Sequence, residues 1–392
     1  MSNRRHFLKL GGAAMFWTFA GGVLRAADFR GRPLPEGDAY APWMLWNDPL
    51  IRGTPLALVA AGVLAANPHD TQPWLFKVSD DKIEVFADTS RNLGAMDGYL
   101  REMFLGLGCA IENMSRAATP NGYSVEVTNV AGSLSDLDER RAPALAATLW
   151  LSKLPAAAPD PLYDALPHRH TNRYAYDRKR PPPAAWRAFV EGFGGDVRVF
   201  LFDDGPRREA FDATVIDATQ AIIADPVMIA DSDRWFRDSS KAIDTHRDGP
   251  TLDAAGLSTT TLIFARLFSV SQETSHKAWL DQTRDKQVPS APVVGLLAVK
   301  DRYDRAGALA AGRAWQHLHL DATTRGMAMQ PLNQPIEMID RERRLGRGTA
   351  WAERAARLTG DEWQATFAFR AGFASTKASA SPRRRLGDVL MG

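Results

Sequence analysis

The stretch Asp97-Gly-Tyr-Leu-Arg-Glu-Met-Phe-Leu-Gly-Leu-Gly-Cys-Ala-Ile-Glu-Asn-Met114 limits the fold more than any other part of this 392-residue chain. It opens on an acidic N-cap candidate, Asp97, and stays apolar for several turns. A helix that is apolar on nearly every face has to run through the centre of the molecule or along an interface between lobes. Gly106 and Gly108 carry no side chain to hold a neighbour off, so a second helix is expected to approach closely there. Cys109 lies in the same run and is the single cysteine, which rules out an internal disulfide framework or a cysteine-built metal cluster. In such surroundings it reads as a core thiol and not as a nucleophile.

Upstream, residues 56–66 have the alanine-rich pattern of a buried helix. Asn67 and Pro68 stop it, because proline excludes the helical conformation from the residue before it. Residues 73–78 are aromatic and β-branched, as a strand is. The polar cluster Asn67, His69, Asp70, Thr71 and Gln72 is therefore expected at a loop tip, where binding groups concentrate. Taken alone, it is equally a polar turn over a packed tryptophan. Residues 82–88 and 123–129 alternate as half-buried strands do, and the alanine-rich residues 142–154 predict a helix. With 45% hydrophobic and 24% charged residues the chain has ample core for two lobes, here 50–160 and 161–392, parted by the proline-rich stretch 154–167. A net charge of +2, with no basic stripe interleaved with aromatics, gives no case for nucleic acid.

Residues 3–9, Asn-Arg-Arg-His-Phe-Leu-Lys, resemble a twin-arginine export signal. The apolar stretch 10–24 behind them is glycine-rich and short of the roughly 20 residues a membrane span needs. The resemblance implies passage through the twin-arginine machinery, which carries folded and often cofactor-loaded proteins, and a periplasmic location. Residues 1–27 would be the signal and 28–49, rich in Gly, Pro and Trp, a tether. Leu24 makes cleavage after Ala26 a poor small-residue match, so retention as an N-terminal anchor stays open, with the signal segment as the one contact with the membrane.

The second lobe opens with His168-Arg-His-Thr-Asn-Arg-Tyr-Ala-Tyr-Asp177. Arg169 and Arg173, four apart with Thr171 between them, suit a phosphate, since guanidinium groups offer paired charge-assisted hydrogen bonds. By charge alone a solvated basic loop is the commoner meaning. Residues 183–193 read as a helix, 197–202 as a strand, 211–223 as a helix and 291–299 as a buried central strand. The polar insertion at 234–290 is either a lid, with His246, Arg247 and Asp248 as substrate contacts, or a surface hairpin without a role. A helix over 313–325 ends at Gly326 before a Pro-rich connector, and 364–373 alternates as a strand before Ser381-Pro-Arg-Arg-Arg385.

Two motifs carry a resemblance to a known family. Asn67-Pro-His-Asp-Thr-Gln-Pro-Trp74 resembles the Pro-Ser-x-x-Asn-x-Gln-Pro-Trp loop of nitroreductases, with Ala66-Asn67 for Pro-Ser and Asp70 for the asparagine. Arg169-His-Thr-Asn-Arg-Tyr-Ala-Tyr176 is similar to the family's Arg-(Arg/His)-Ser-x-(Arg/Lys)-x-(Phe/Tyr) opening, yet it follows the other motif where the family has it first. The reversed order resembles the Acg-like branch, in which two halves are fused and each keeps one part of a single site. The resemblance implies an α+β pseudodimer with mixed or antiparallel sheets holding one FMN. Asn67, His69, Asp70 and Gln72 would contact the flavin, and Arg169, Thr171 and Arg173 its phosphate and ribityl chain. Pro331, Leu332 and Asn333 would line the ring with a backbone N–H toward N5, and Arg383 and Arg384 would return to the phosphate. Asp70, if ionised beside the ring, would lower its potential.

The implied activity is reduction of a small organic acceptor by a ping-pong cycle, with a quinone or a redox protein as donor because nicotinamides are scarce outside the cytoplasm. A flavin-sequestering protein without turnover is the alternative, and a solute-binding protein without flavin a third. No Gly-x-Gly-x-x-Gly follows a strand and no Gly-x-Ser-x-Gly elbow occurs. The pairs His168/His170 and His317/His319 stand two apart, which on a helix points them away from each other and disfavours a metal.

Overall fold

Two four-stranded antiparallel sheets and the helices packed on them make an α+β fold. The computed structural model describes residues 37–137, 143–181, 195–258, 261–262 and 271–392, with a short antiparallel pair, Thr18–Phe19 against Gly22–Val23. The Arg4-Arg5 motif and the helix expected over 183–193 lie outside the described residues.

The first sheet contains β1 (Trp74–Val78), β2 (Lys82–Ala87), β3 (Tyr123–Asn129) and β4 (Ala144–Lys153), in the order β1-β2-β4-β3. Helix α1 (Pro55–Gly62) precedes it, and α2 (Arg101–Ala118) joins β2 to β3. The second sheet contains β5 (Arg198–Phe202), β6 (Val293–Val299), β7 (Ala328–Pro331) and β8 (Gln364–Gly372), in the order β5-β6-β8-β7. Between β5 and β6 come α3 (Gly205–Ala224), α4 (Pro226–Asp233), α5 (Ser240–His246) and α6 (Gln272–Gln282). Helix α7 (Arg305–Thr324) joins β6 to β7, and α8 (Gln334–Leu345) and α9 (Ala350–Thr359) separate β7 from β8. Each sheet thus has the same strand order, and in each a long helix bridges the second strand to the third.

The glycines of α2 do what their positions suggested. A Cβ on Gly108 would fall on the Leu309 carbonyl oxygen of α7, and one on Gly312 of α7 would fall on the Leu105 carbonyl of α2. The contact is reciprocal, as across a two-fold axis. Gln316 Nε2 donates to Asn113 Oδ1 across it at 2.6 Å. Glu112 accepts from Arg116 at 2.8 Å and from Arg313 at 3.2 Å, so the buried charge is paired. Cys109 sits in this seam, its thiol pushed up to about 12 by burial. Around the seam Phe104, Leu107, Leu309 and Leu318 are buried, each contributing roughly 1.5–3 kcal/mol. Asp97 caps α2 from outside the helix, accepting from the Glu102 and Met103 N–H groups at 3.0 and 2.9 Å.

One predicted helix is a strand. Residues 142–154 were expected to be helical from their alanines, but Ala144–Lys153 is β4, paired on both edges by β2 and β3. Small residues at Ala146 and Ala147 let the sheet lie close under α2, and partner strands on both sides override a local helical preference. Helix α8 starts inside the expected connector, with Pro335 in its first turn, where the missing N–H costs nothing, and α9 falls where no element was expected. The tether is not merely laid on the surface. Within the 3₁₀ helix Asp38–Asn47, Ala39 and Trp43 are buried, and Trp43 Nε1 donates to the Ser381 carbonyl at 2.8 Å.

Candidate functional site

The loop after α1 is strained and tightly held. His69, Asp70 and Gln72 have φ of 46°, 49° and 50°, a left-handed conformation that costs a side-chain-bearing residue roughly 1–2 kcal/mol each. Asn67 Oδ1 accepts the Gln72 N–H at 2.8 Å, and the Thr71 N–H donates to Pro68 O at 2.9 Å. Arg91 Nε donates to the Thr71 carbonyl, and the Gly249 N–H to the Asp70 carbonyl at 3.1 Å. Gln72 is spent on other segments: Nε2 donates to Arg247 O at 2.8 Å and Oε1 accepts the Arg384 N–H at 2.7 Å. Strain held by so many contacts marks a place where the surroundings fix a geometry the loop alone would not adopt.

Beneath the loop lie two buried guanidinium groups. Arg383 Nη1 donates to Asp70 Oδ1 at 2.6 Å and Nη2 to Ala65 O at 3.3 Å. Arg169 Nη2 donates to Leu64 O at 3.2 Å, and Nη1 to His319 Nδ1 at 3.4 Å. Arg169 Nε, Arg383 Nε and Asp70 Oδ2 are buried without a partner among the described residues. Burial, then the charge of Arg383, brings Arg169 down to about 10. Burial pushes Asp70 up to about 7 against the pull of Arg383. The pair of cations thus has one weakly acidic carboxyl between them. His170, tilted against Trp43 with ring centroids 4.7 Å apart, is held down to about 3 by burial and by Arg169, so it adds no charge. His69, lowered to about 4 by burial and then by Arg173, is likewise neutral and shares a 3.0 Å hydrogen bond with Ser232.

The remaining expected residues divide into two groups. Thr171 bridges to Met329 of β7, and the Asn172 N–H donates to the Met329 carbonyl at 3.1 Å, which lays the Arg169–Arg173 segment along the second sheet. Arg173 Nη1 turns to Ala254 O at 3.1 Å. Pro331 ends β7; Leu332 puts its side chain into the core with Phe211 and Ile336 and spends its N–H on Ala368 O at 2.8 Å. Of these three residues only Asn333 keeps a backbone N–H without a partner among the described residues. Its side chain donates to Glu102 Oε1 and accepts from the Ala368 N–H at 3.1 Å. Arg384 braces the loop from its other side, donating to Gln72 O at 3.2 Å and Asp388 O at 2.6 Å, and does not join Arg383.

The insertion reaches this loop through Arg247–Gly249. Arg247 is buried, its carbonyl taken by Gln72 and its guanidinium by Asp38 O at 2.7 Å. Asp248 is clasped between Arg91 and Arg237. His246 is exposed at the end of α5. Sequence reasoning missed Arg91 and Glu102, and took Asp248 for a substrate contact where the structure makes it the partner of Arg91 and Arg237. For Glu102 a signal was present, since an acid inside an apolar helix needs a partner once buried.

Chemically, the two unspent N–H groups and the excess of buried cation over carboxylate suit a phosphate-bearing ligand. The charge-neutral histidines leave that charge to the arginines.

No family model matches the chain. A Mycobacterium tuberculosis protein provisionally named an NAD(P)H nitroreductase is 26% identical over 293 residues, covering 72% of this chain and 76% of its own. Among solved structures, an FMN-bound nitroreductase of Desulfitobacterium hafniense is 12% identical and covers 60% of this chain and 99% of its own, with a TM-score of 0.36. The FMN-dependent nitroreductase of Mycobacterium smegmatis in complex with NADPH is 16% identical and covers 57% of this chain and 94% of its own, with a TM-score of 0.34.

Proposed function

We propose that this chain is an FMN-dependent oxidoreductase of the nitroreductase type, two fused halves sharing one flavin. The observation that carries the reading is the meeting of the Asn67–Gln72 loop with Arg169 and Arg383, each guanidinium buried with an N–H to spare. The matching strand orders and the reciprocal Gly108/Gly312 contact support the fused halves. The named relative supports the activity. Arg169 and Arg383 would hold the phosphate, Thr171 and Arg173 the chain leading from it, and Pro331 to Asn333 the ring, with the Asn333 N–H as the backbone donor. When bound, FMN supplies the two-electron chemistry, taking a hydride equivalent from a donor and passing it to a small organic acceptor. The residues of this chain position it, screen its phosphate and exclude water.

The donor follows the compartment. A twin-arginine-like motif at Arg4-Arg5 points to export, and hence to a quinol or redox protein, whereas the relative's name points to NAD(P)H. A second reading, flavin storage, rests on Arg247–Gly249, whose main chain is bonded to Gln72 and Asp70 like a closed cover. The experiment is to purify the full chain, release its chromophore by heat and identify it, then mix the protein with dihydronicotinamide and quinol donors. One FMN per chain with reduction by either donor is the expected result. FMN bound but never reduced would favour storage, and a colourless chain that refuses FMN would end both readings. Arg169→Ala should weaken FMN binding by about 1.5–3 kcal/mol, the value of a hydrogen bond to a charged group, in a fluorescence titration.

A further inference from the structure

Glu102 stands in the second position of α2, away from the cations of the loop. Its Oε1 accepts from Asn333 Nδ2 and from Arg101 Nη2 at 3.4 Å. Its other oxygen has no partner among the described residues, and the side chain keeps 9% of its exposure. One turn along the same helix face, Gly106 packs against Asn67 and Pro68, and a Cβ on it would lie 3.2 Å from Asn67 Cβ and 3.1 Å from Pro68 Cδ. The carboxyl therefore lies where the Asn67–Gln72 loop and the end of β7 converge. If the proposed function holds, those two segments bracket the flavin ring.

Behind Glu102 lies a buried acid network contributed by several elements. Asp97 precedes α2, Arg101 lies beside Glu102 on α2, Glu337 and Asp340 come from α8, and Arg302 and Tyr303 from the β6–α7 connection. Asp340 is bonded to Arg101 Nε at 2.8 Å and to the Tyr303 hydroxyl at 2.9 Å. Asp97 spends its oxygens on the start of α2. Glu102 and Glu337 are left to share what remains of one guanidinium, and Glu337 Oε2 is buried with no partner among the described residues. Two such carboxyls cannot both be ionised side by side. Burial first, and the neighbouring carboxylates Asp97 and Asp340 after it, push Glu102 up to about 8 against Arg101; burial and then Glu102 push Glu337 well above the carboxylate range.

We propose that Glu102 is the acid that supplies the proton consumed when the acceptor is reduced at this site. With a dihydronicotinamide donor the sum is DH + A + H⁺ → D⁺ + AH₂. The acceptor gains a hydride equivalent originating in the donor, and one further proton. The O–H bond of Glu102 breaks to give that proton, a new O–H or N–H bond forms on the acceptor, and the carboxylate left behind takes a proton from water at its exposed edge. Asp70 is a poorer choice because its carboxylate is committed to Arg383, and Cys109 is sealed in the helix seam.

The test compares wild type, Glu102→Gln and Glu102→Asp as full chains loaded with FMN, using a dihydronicotinamide donor and a small nitroaromatic acceptor. For Glu102→Gln, kcat at pH 7 should fall about 100-fold or more while KM stays within about twofold, and the alkaline limb of the wild-type kcat profile should vanish. Glu102→Asp should restore part of kcat together with the limb. A second readout is FMN affinity by fluorescence titration from pH 6 to 9.5. It should weaken with rising pH in wild type by about threefold more than in Glu102→Gln, where only Asp70, at about 7, still ionises beside an anionic ligand. A Gln variant that keeps FMN, kcat and the alkaline limb overturns the proton role and leaves the flavin site standing. Loss of FMN by both variants makes Glu102 a binding residue and overturns it as well. Wild type that binds no FMN overturns the flavin reading, and this inference falls with it.

Discussion

Asp70 and Arg383 hold each other in a place where a phosphate would compete for the same guanidinium. Asparagine at position 70 would keep the shape and remove that competition. Asp70→Asn should therefore tighten FMN binding several-fold while lowering the melting temperature of the cofactor-free protein, since Arg383 would lose its buried counter-charge. Its effect on the flavin midpoint potential should be upward but small, because Arg383 already offsets the carboxylate charge. Unchanged affinity in a fluorescence titration would place the phosphate away from Arg383. Gln72, Arg169 and Arg383 were legible in sequence because each belongs to a motif with a chemical purpose. Arg91 was not, and Asp248 was legible only as a substrate contact, because the two are partners 157 positions apart that nothing local connects. Asn333 was legible as a ring neighbour, but its bond to Glu102, across 231 positions, was not.

At the scale of elements, the α2–α7 seam was the most legible feature. Gly108 and Gly312 each sit where a Cβ would meet backbone, and backbone cannot give way as a flexible side chain can. Gly108→Ala should destabilise the protein by about 1–3 kcal/mol from overpacking, even after the better helix propensity of alanine is credited. Thermal melts of Gly108→Ala and Gly312→Ala would show it, and melting temperatures equal to wild type would mean that the seam opens more easily than its geometry implies. Strand β3 was read with its observed limits because its alternation is local, and β6 to within two residues at its start because a strand covered on both faces is apolar throughout. Strand β4 was misread for the opposite reason: its alanines carry no period, and only the partners on both edges settle its conformation. In α8, Pro335 signals a turn and a helix start equally well, so its sequence could not choose between them.

For the whole molecule, buried ionisable groups set a pH window. Asp70, Asp97 and Glu102 have carboxyls at about 7, 6 and 8, above their unfolded values of 3.8, 3.8 and 4.5. Their contribution is complete below the unfolded values and is lost as pH rises through the folded ones. His69 and His170 are held at about 4 and 3, below 6.5, so their contribution is lost as pH falls below 6.5, where the unfolded chain takes up protons first. Above pH 6.5 only the carboxyl effect continues. The melting temperature should therefore drop by several degrees between pH 6.5 and pH 8.5, and the drop should shrink in Glu102→Gln. A melting temperature that rises over this interval would contradict the raised carboxyls. The window was not legible before folding, because the shift of each group comes first from burial, which only the packed elements create.

The pairing of Gln72 with Arg384 and of Asp70 with Arg383 also sets an order in time. These bonds join residues 312 and 313 positions apart, and just beyond them the Met391 N–H donates to Phe76 O at 2.8 Å on the edge of β1. A growing chain can complete β1, β2 and α2 early, yet the loop between α1 and β1 must wait in its strained shape, or outside it, until translation has passed residue 384. Ligand capture by this site then waits for the return of residues 383 and 384 to the loop. The same bonds that shape the loop make its readiness a report that the chain has been made and folded through residue 384.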